Sequence, residues 1–211
     1  MKRAILFDLD GTLWDAAGRV FQIWNRVFDR RPELNIRLTQ DDMGRYMGKT
    51  MEEIGAMLFP ELDKSTQEAI MEECGKEEVG YLREHGAALY DGVRETVALL
   101  KRDYELYIVS NCQDGYVNSF LTAHAFEGDF KDIEMSGRTG KGKGENIRIL
   151  MERNHIVRAV YVGDTQGDEN AARWAGIPFI YAAYGFGKAV LPDGTLHSIR
   201  ELPAVLKELR F

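Results

Sequence analysis

The stretch FDLDGTLWD, residues 7–15, follows the apolar run AILF and decides how the rest of the chain is interpreted. In an extended strand alternate side chains lie on the same side, so Asp8 and Asp10 share one side and Leu9 faces the other. Two carboxylates this close repel each other unless a cation, a bound proton or a catalytic task holds them together. The sequence therefore predicts a buried strand, about residues 3–8, that ends in a functional site.

The composition indicates a globular, enzyme-sized protein and excludes several classes of partner. The 211 residues suffice for an ordinary domain with a smaller inserted one. Lys and Arg total 27 against 34 Asp and Glu, a net charge of -7 that argues against a nucleic-acid partner held by phosphate contacts. No apolar run approaches the ~20 residues of a membrane span, and the N-terminus lacks the apolar segment of a signal peptide. We therefore expect a cytoplasmic protein with no membrane partner.

Residues 16–86 contain helical patterns and no good strand. Apolar side chains recur at helical spacing in two runs, and the stretch 65–84 is rich in Glu, Lys, Met and Leu. The two runs consist of Val20, Ile23, Trp24, Val27 and Phe28, and of Met51, Ile54, Met57 and Leu58. We expect residues 16–86 to form an all-helical domain inserted into another domain.

Beyond residue 90 the pattern changes to helices that alternate with short apolar strands. The predicted strands are ELYIVSN, DIEMS, AVYVGD and PFIYA, at residues 105–111, 132–136, 159–164 and 178–182. This alternation predicts a parallel sheet with helices on both faces, and such sheets bind ligands at the carboxyl ends of their strands. We therefore predict an α/β fold in which a three-layer, Rossmann-like core, residues 1–15 and 87–211, carries the helical insertion.

Acidic side chains gather at two of the predicted strand ends. Asp8 and Asp10 follow the first strand, and Asp164 and Asp168 lie in VGDTQGDEN, residues 162–170. Carboxylate oxygens are ligands that Mg²⁺ prefers. A carboxylate left free in such a set can attack phosphorus and form an aspartyl phosphate.

Polar and basic residues at two further positions complete a set suited to phosphoryl transfer. Ser110 and Asn111 close a predicted strand with a hydroxyl and an amide that can donate to a phosphoryl oxygen. Lys141 and Lys143 precede a predicted helix, where a cation and free backbone N–H groups can face an anion together. Acids, a metal, a hydroxyl and a lysine are the parts that phosphoryl transfer requires.

Four segments in this order resemble the motifs of the haloacid dehalogenase-like superfamily. They are FDLDGT at 7–12, VSN at 109–111, a lysine before a helix, and VGDTQGDEN at 162–170. The resemblance covers the whole chain, because residues 16–86 fall where that superfamily inserts a helical cap domain. The chain is similar to its phosphoglycolate phosphatase-like members. The resemblance implies a phosphatase that hydrolyses a small phosphorylated metabolite with Mg²⁺ as cofactor.

The resemblance also implies roles for the two acids of the first motif. Asp8 would be the nucleophile. Asp10 would protonate the leaving oxygen and then activate water, while its backbone carbonyl reaches the metal. An acid at Asp10 goes with phosphoryl transfer in this superfamily, which argues against a dehalogenase.

The remaining motifs would bind the phosphoryl group and the metal. By the resemblance, Thr12 and Ser110 would hold the transferring group, to which Asn111 can also donate. Asp164 would ligate Mg²⁺ together with Asp8 and Asp10, and Asp168 would support the metal site without ligating the ion.

The catalytic lysine has two candidates, because the segment KGKGEN lacks the prolines that many relatives carry there. Counting from Glu145 favours Lys141, whereas a Lys-Gly-x-x-apolar pattern that opens a helix favours Lys143. We choose Lys143, which lies closer to the helix start, and it would also contact the phosphate. Lys141 remains the alternative.

Other functions fit parts of the same pattern. A phosphomutase would use the same aspartyl phosphate but return the group to a sugar, and a regulatory protein would keep the fold without turnover. The segment GRTGKGK, residues 137–143, also fits the spacing of a nucleotide-binding P-loop. However, Gly144 stands where a P-loop has a Ser or Thr hydroxyl for Mg²⁺.

Overall fold

The computed structural model describes residues 3–211, which form a parallel β-sheet and a set of helices. The strands are β1 (Arg3–Phe7), β2 (Trp14–Asp15), β3 (Ala88–Leu89), β4 (Tyr104–Ser110), β5 (Asp132–Met135), β6 (Ala159–Gly163), β7 (Phe179–Ala182) and β8 (Gly194–Leu196). Six of them form one sheet in the order β5-β4-β1-β6-β7-β8, and every pairing in it is parallel. Within the described range, no helix has the length and apolar composition needed to cross a membrane.

Helices lie both before and after β3 in the described sequence. In chain order they are α1 (Ala17–Asp29), α2 (Gln40–Met43), α3 (Met51–Leu58), α4 (Lys64–His85), α5 (Val93–Leu100), α6 (Tyr116–His124), α7 (Ser136–Thr139), α8 (Lys143–Arg153), α9 (Gln166–Ala175) and α10 (Leu202–Glu208). Short 3-10 helices cover Pro32–Leu34 and Ile199–Glu201. Between β2 and β3 the chain is helical or irregular, as the sequence predicts.

Strand β1 lies inside the sheet and is buried on both faces, which explains its continuous apolar sequence. Ile5 and Phe7 join an apolar cluster on one face, whereas Leu6 packs on the other against Ile147 and Leu150 of α8. Helices therefore cover both sides of the sheet, and the predicted three-layer α/β core with its helical insertion is confirmed.

The sheet register brings three predicted strand ends to one edge. Phe7, the last residue of β1, pairs with Ile108 of β4 on one side and with Val162 of β6 on the other. Asp8 then donates its backbone N–H to the carbonyl of Val162, at 2.8 Å. Because the strands are parallel, the residues that follow β1, β4 and β6 all emerge at this edge.

The helical segment between β2 and β3 forms because its sequence carries amphipathic stripes and helix caps. The predicted stripe of α1 is buried, and α3 and α4 begin at capping residues. Thr50 and Glu53 form a reciprocal capping box at α3, and Asp63 accepts the Thr66 N–H at α4. The segment thus has its own helix boundaries, while its apolar side chains pack into the same cluster as Phe7.

The sequence prediction was incomplete for the shortest elements. β2 and β3 form an antiparallel pair of two residues each, and β8 is a three-residue edge strand. Elements this short bury too few side chains to leave a periodic pattern. The sequence places Lys143 before a helix, but Lys143 is the first residue of α8, because Gly142 is the N-cap.

Phe120 of α6 lies at the centre of a group of packed aromatic rings. Its side chain is fully buried, and its ring centroid lies 5.2 Å from that of Trp14 and 5.4 Å from that of Phe126. We predict that Phe120→Ala lowers the free energy of unfolding by about 3–5 kcal/mol, because it leaves a cavity that rigid neighbours cannot fill. Urea denaturation measures this change.

Leu99→Ala is the matched control, because Leu99 is 47% exposed. Its expected effect is below about 1 kcal/mol. An equally small effect of Phe120→Ala would contradict the packing described here.

Candidate active site

Lys143 and three aspartates form a buried ionic cluster at the carboxyl edge of the sheet. The Lys143 Nζ lies 2.9 Å from Asp8 Oδ1 and 2.5 Å from Asp168 Oδ1. Oxygens of Asp8, Asp164 and Asp168 all lie within 4.8 Å of one another. All four side chains are buried. These distances show that the structure brings together residues from three separate motifs of the sequence.

The two candidate lysines occupy different environments. Lys143 is the first residue of α8 and is only 6% exposed, whereas the Lys141 side chain is half exposed and pairs with Glu145 at 3.3 Å. The Gly142 N-cap starts the helix so that Lys143 enters the cluster. The choice of Lys143 agrees with this geometry, although its catalytic role stays a prediction.

Asp8 carries an oxygen that accepts no hydrogen bond from the described part of the chain. Its Oδ1 is buried and contacts Lys143 outside hydrogen-bond geometry, so the contact is ionic. Burial raises the pKa of Asp8 to about 6, while the charge of Lys143 opposes the shift. The carboxyl is therefore largely ionised at neutral pH, with lone pairs available on Oδ1.

Asp10 is held by two donors that no motif indicates. Its Oδ1 accepts hydrogen bonds from Trp14 Nε1 and from the Tyr116 hydroxyl, each at 2.9 Å. Burial, and then the charge of Asp8, raise the pKa of Asp10 well above its usual range. Burial thus favours the protonated form of Asp10, and the two donors on Oδ1 leave Oδ2 to carry a proton.

The loop after β7 positions Asp164. Its Oδ2 accepts hydrogen bonds from the backbone N–H groups of Phe186, at 2.7 Å, and Gly187, at 3.3 Å, while its buried Oδ1 accepts none from residues 3–211. Burial, and then the charges of Asp168 and Asp8, raise the pKa of Asp164 to about 8. The residues 184–187 therefore belong to the site as supporting backbone.

Asp168 has both oxygens engaged. Its Oδ1 contacts Lys143, and its Oδ2 accepts the N–H and hydroxyl of Thr165 and the N–H of Asp164, at 2.8–3.1 Å. Among residues 3–211, the buried oxygens Asp8 Oδ1 and Asp164 Oδ1 accept no hydrogen bond. This donor set suits a hard divalent cation held by Asp8 and Asp164, with Asp168 fixing the loop and the lysine behind it.

The glycine of the first motif permits this close approach. Gly11 has φ +79°, and a Cβ atom there would lie 2.2 Å from Asp164 Oδ2. Any other residue would displace the Asp164 carboxylate, so Gly11 is required for packing as well as for backbone conformation.

The predicted phosphoryl-binding residues are only partly at the cavity. Ser110 and Asn111 line it with Asp8 and Asp10. Asn111 is already engaged, because its Nδ2 donates to the Gly48 carbonyl at 2.9 Å and its Oδ1 accepts from a serine hydroxyl. Thr12 is fully buried, and its hydroxyl has no hydrogen-bond partner among residues 3–211.

The P-loop interpretation of residues 137–143 does not fit the backbone. Residues Ser136–Thr139 form a helical turn, and the N–H of Gly137 donates to the Cys112 carbonyl instead of facing an anion. The lysine of that pattern contacts carboxylates. This alternative is therefore not supported.

A narrow cavity of about 40 Å³ lies between the acids and the helical segment. Its floor contains Asp8, Asp10 and Ser110, and its roof contains Trp24 of α1, Glu78 of α4 and the loop 46–49. This volume holds a few water molecules at most and is well below that of ordinary ligand sites. The cavity therefore marks a position beside Asp8 and Asp10 that a small molecule could occupy only if the helical segment moved.

Glu78 is a buried acid in the roof that the sequence prediction missed. Its Oε2 accepts hydrogen bonds from Gln113 Nε2 at 2.8 Å and from Trp24 Nε1 at 3.3 Å. Burial raises the pKa of Glu78 to about 7. In the sequence Glu78 is one of several glutamates on an acidic helix, and nothing there distinguishes it.

Comparison with known proteins places the chain in a family. Residues 5–182 match the family model of haloacid dehalogenase-like hydrolases. The chain is 29% identical to a phosphoglycolate phosphatase of Xanthomonas campestris pv. campestris, over 87% of this chain and 84% of that protein. The chain therefore belongs to the haloacid dehalogenase-like hydrolase family, as the four motifs predict. The match and the phosphatase relatives also confirm the prediction of an enzyme of the phosphoric monoester hydrolase class.

Solved structures share the fold. A predicted phosphatase from Clostridium acetobutylicum has a TM-score of 0.85 at 22% identity, over 100% of both chains. A variant of CbbY from Rhodobacter sphaeroides, in complex with xylulose-1,5-bisphosphate, has a TM-score of 0.80 at 20% identity, over 96% of both chains.

We predict that Glu78→Gln is more stable than the unmodified chain at high pH, and that the difference in free energy of unfolding grows as the pH rises. The pKa of Glu78 is about 7 when folded against an ordinary value of 4.5, so ionising it above pH 5 disfavours the folded state. Gln removes this penalty, and the difference in free energy of unfolding should grow by about 2 kcal/mol between pH 5 and pH 8. Urea denaturation across this range provides the measurement.

Glu77→Gln is the control, because Glu77 is the neighbouring residue and its side chain is 40% exposed. It should show no such trend with pH. A pH-independent difference for Glu78→Gln would mean that Glu78 is not buried against the cavity as described.

Proposed function

We propose that the chain is an Mg²⁺-dependent phosphatase that hydrolyses a small phosphomonoester through an aspartyl phosphate on Asp8. The observation that carries this proposal is the contact of 2.9 Å between Lys143 Nζ and Asp8 Oδ1, at a cavity that Asp8 itself lines. A buried cation beside an ionised carboxylate with a free oxygen is what an attack on a charged phosphoryl group requires. A phosphoglycolate phosphatase and a complex with a sugar bisphosphate among the similar proteins support this substrate class.

Asp8 would attack phosphorus through one carboxylate oxygen. The new bond joins that oxygen to phosphorus as the bond from phosphorus to the alcohol oxygen breaks. Lys143 opposes the burial-induced rise in the pKa of Asp8, and so keeps the nucleophile ionised. Its charge also offsets the negative charge that nucleophile and phosphoryl group share.

Asp10 would act as acid and then as base. Its proton on Oδ2 passes to the departing alcohol oxygen in the first step. The ionised Asp10 then accepts a proton from the water that displaces Asp8 from phosphorus, which regenerates both carboxyl groups. Trp14 and Tyr116 keep Asp10 oriented throughout, because both donate to its other oxygen.

Hydroxyl groups and a metal would stabilise the phosphoryl group. Ser110 lines the cavity and can donate to a phosphoryl oxygen, and Thr12 has an unused hydroxyl close by in the chain. Asp8 and Asp164 would hold Mg²⁺, with the backbone carbonyl of Asp10. The ion would offset charge on the carboxylates and the phosphate when bound.

The helical segment, residues 16–86, would be a cap that opens for exchange and closes during transfer. Closure removes bulk water from the reaction, which strengthens each electrostatic contact in the cavity. Two hydrogen bonds join this segment to the loop after β4: Asn111 to the Gly48 carbonyl, and Gln113 to Glu78. These bonds would break and form as the cap moves.

We predict that Asp8→Asn reduces phosphate release to below about a thousandth of the unmodified rate, because an amide cannot attack phosphorus. The assay uses a panel of phosphomonoesters with Mg²⁺ and measures free phosphate. Asp41→Asn makes the same chemical change on an exposed residue and should leave the rate unchanged.

Two outcomes of this assay would contradict the proposal. Full activity of Asp8→Asn would exclude the aspartyl phosphate. Isomerisation of a sugar phosphate without release of phosphate would instead identify a phosphomutase, which shares the nucleophile but returns the group to the sugar.

We predict that Lys143→Ala lowers kcat/KM by about 10²- to 10³-fold, the usual loss when one charge-stabilising donor is removed from an active site. Lys141→Ala should change it by less than about threefold, because its exposed pair with Glu145 contributes little. Steady-state kinetics of the two variants decides between the lysines. A far larger loss in Lys141→Ala would show that our choice of lysine is wrong.

We predict that removing divalent metal with a chelator abolishes turnover and that adding Mg²⁺ restores it. Mg²⁺ at about 100 times its dissociation constant should also stabilise the fold by about 2.7 kcal/mol. Thermal unfolding measures this, and Asp164→Asn should lose the effect while Asp41→Asn keeps it. Turnover that persists in the chelated protein would refute the metal requirement.

A further inference from the structure

Glu78 differs from the other acids of α4 in its surroundings. Glu72, Glu73 and Glu77 lie on the outer side of the helix and pair with arginines or a lysine. Glu78 is 3% exposed, and its two hydrogen-bond donors, Trp24 and Gln113, are both uncharged. A buried carboxyl with no cation partner disfavours folding, so packing alone does not account for it.

The hydrogen bonds of Glu78 leave one oxygen for a ligand. Both donors bind Oε2, and no hydrogen bond from the described part of the chain reaches Oε1. Trp24 from α1 and Gln113 from the loop after β4 hold the carboxyl from two sides. The residue is therefore fixed in place in the wall of the cavity that contains Asp8 and Asp10.

The rest of the cavity wall is mostly apolar. Val20, Met47, Met51 and Ile54 line the same cavity as Glu78, and the exposed Lys49 also lines it. A leaving group that fits here needs a carbon skeleton for this surface and a polar group for Glu78.

Resting on the proposed phosphatase function, we propose that Glu78 selects the leaving group: it binds a hydroxyl of an uncharged polyol or sugar and rejects a carboxylate-bearing alcohol. The substrate class is then polyol or sugar phosphates and not phosphoglycolate. A hydroxyl can donate to an ionised Glu78 or accept from a protonated one, so it is bound in either state. At about pH 8, where most of the Glu78 carboxyl is ionised because its pKa is about 7, a carboxylate in the leaving group would face a like charge in a poorly solvated cavity.

The test compares leaving groups of similar size and different charge. Kinetics are measured with glycerol 3-phosphate, 2-phosphoglycolate and phosphoethanolamine, which carry hydroxyls, a carboxylate and an ammonium group. We expect kcat/KM for glycerol 3-phosphate to exceed that for phosphoglycolate by about tenfold or more. In Glu78→Gln we expect this ratio to fall by about tenfold, mainly because kcat/KM for phosphoglycolate rises.

Two further variants control the comparison. Glu77→Gln, the same change on the exposed side of α4, should keep the ratio within about twofold. Glu78→Asp retains the charge, so kcat/KM for phosphoglycolate should stay low. The shorter side chain could also lower kcat/KM for glycerol 3-phosphate. Thermal unfolding of each variant establishes that it is folded before its kinetics are compared.

The outcomes separate this inference from the proposed function. Hydrolysis of p-nitrophenyl phosphate that depends on Asp8 establishes the phosphatase independently of any leaving-group preference. If that activity is present but phosphoglycolate is the preferred substrate, or Glu78→Gln leaves the ratio unchanged, the role of Glu78 is refuted alone. A preference for phosphoethanolamine that is lost in Glu78→Gln would overturn the polyol class. Absence of phosphatase activity altogether would refute both.

Discussion

The site depends on the contacts that Lys143 makes with Asp8 and Asp168. Three buried aspartates within 4.8 Å of one another would repel strongly without a cation among them. Lys143 supplies that charge from the first position of α8, while each aspartate comes from the carboxyl end of a strand or the helix after it. These buried charges are tolerated only if Lys143 and the aspartates meet. The starts of α8 and α9 must therefore be placed correctly relative to the sheet.

The same arrangement separates the tasks of the acids. Asp168 has both oxygens engaged, Asp10 has one oxygen held by Trp14 and Tyr116, and Asp8 and Asp164 each retain a free oxygen. Identical carboxyl groups thus differ in charge and availability because their neighbours differ. This difference is the physical basis for proposing attack by Asp8, proton transfer by Asp10 and metal binding by Asp8 and Asp164.

The sequence predicts the residues that follow from backbone periodicity but not those that depend on packing. Asp8, Ser110 and Asp164 could be placed at one edge because parallel strands end there whatever their side chains do. Tyr116 and Glu78 could not, since they reach the cavity only through the docking of α6 and α4, which no local pattern encodes. The lysine was ambiguous for a related reason: its position depends on which glycine caps α8.

The central claim is that phosphate is transferred first to Asp8 and then to water. The most direct measurement is the stereochemical course at phosphorus, with a phosphomonoester made chiral by oxygen isotopes and hydrolysed in isotopically labelled water. Two successive in-line displacements predict retention of configuration in the released phosphate. Inversion would mean a single displacement by water and would contradict the role assigned to Asp8.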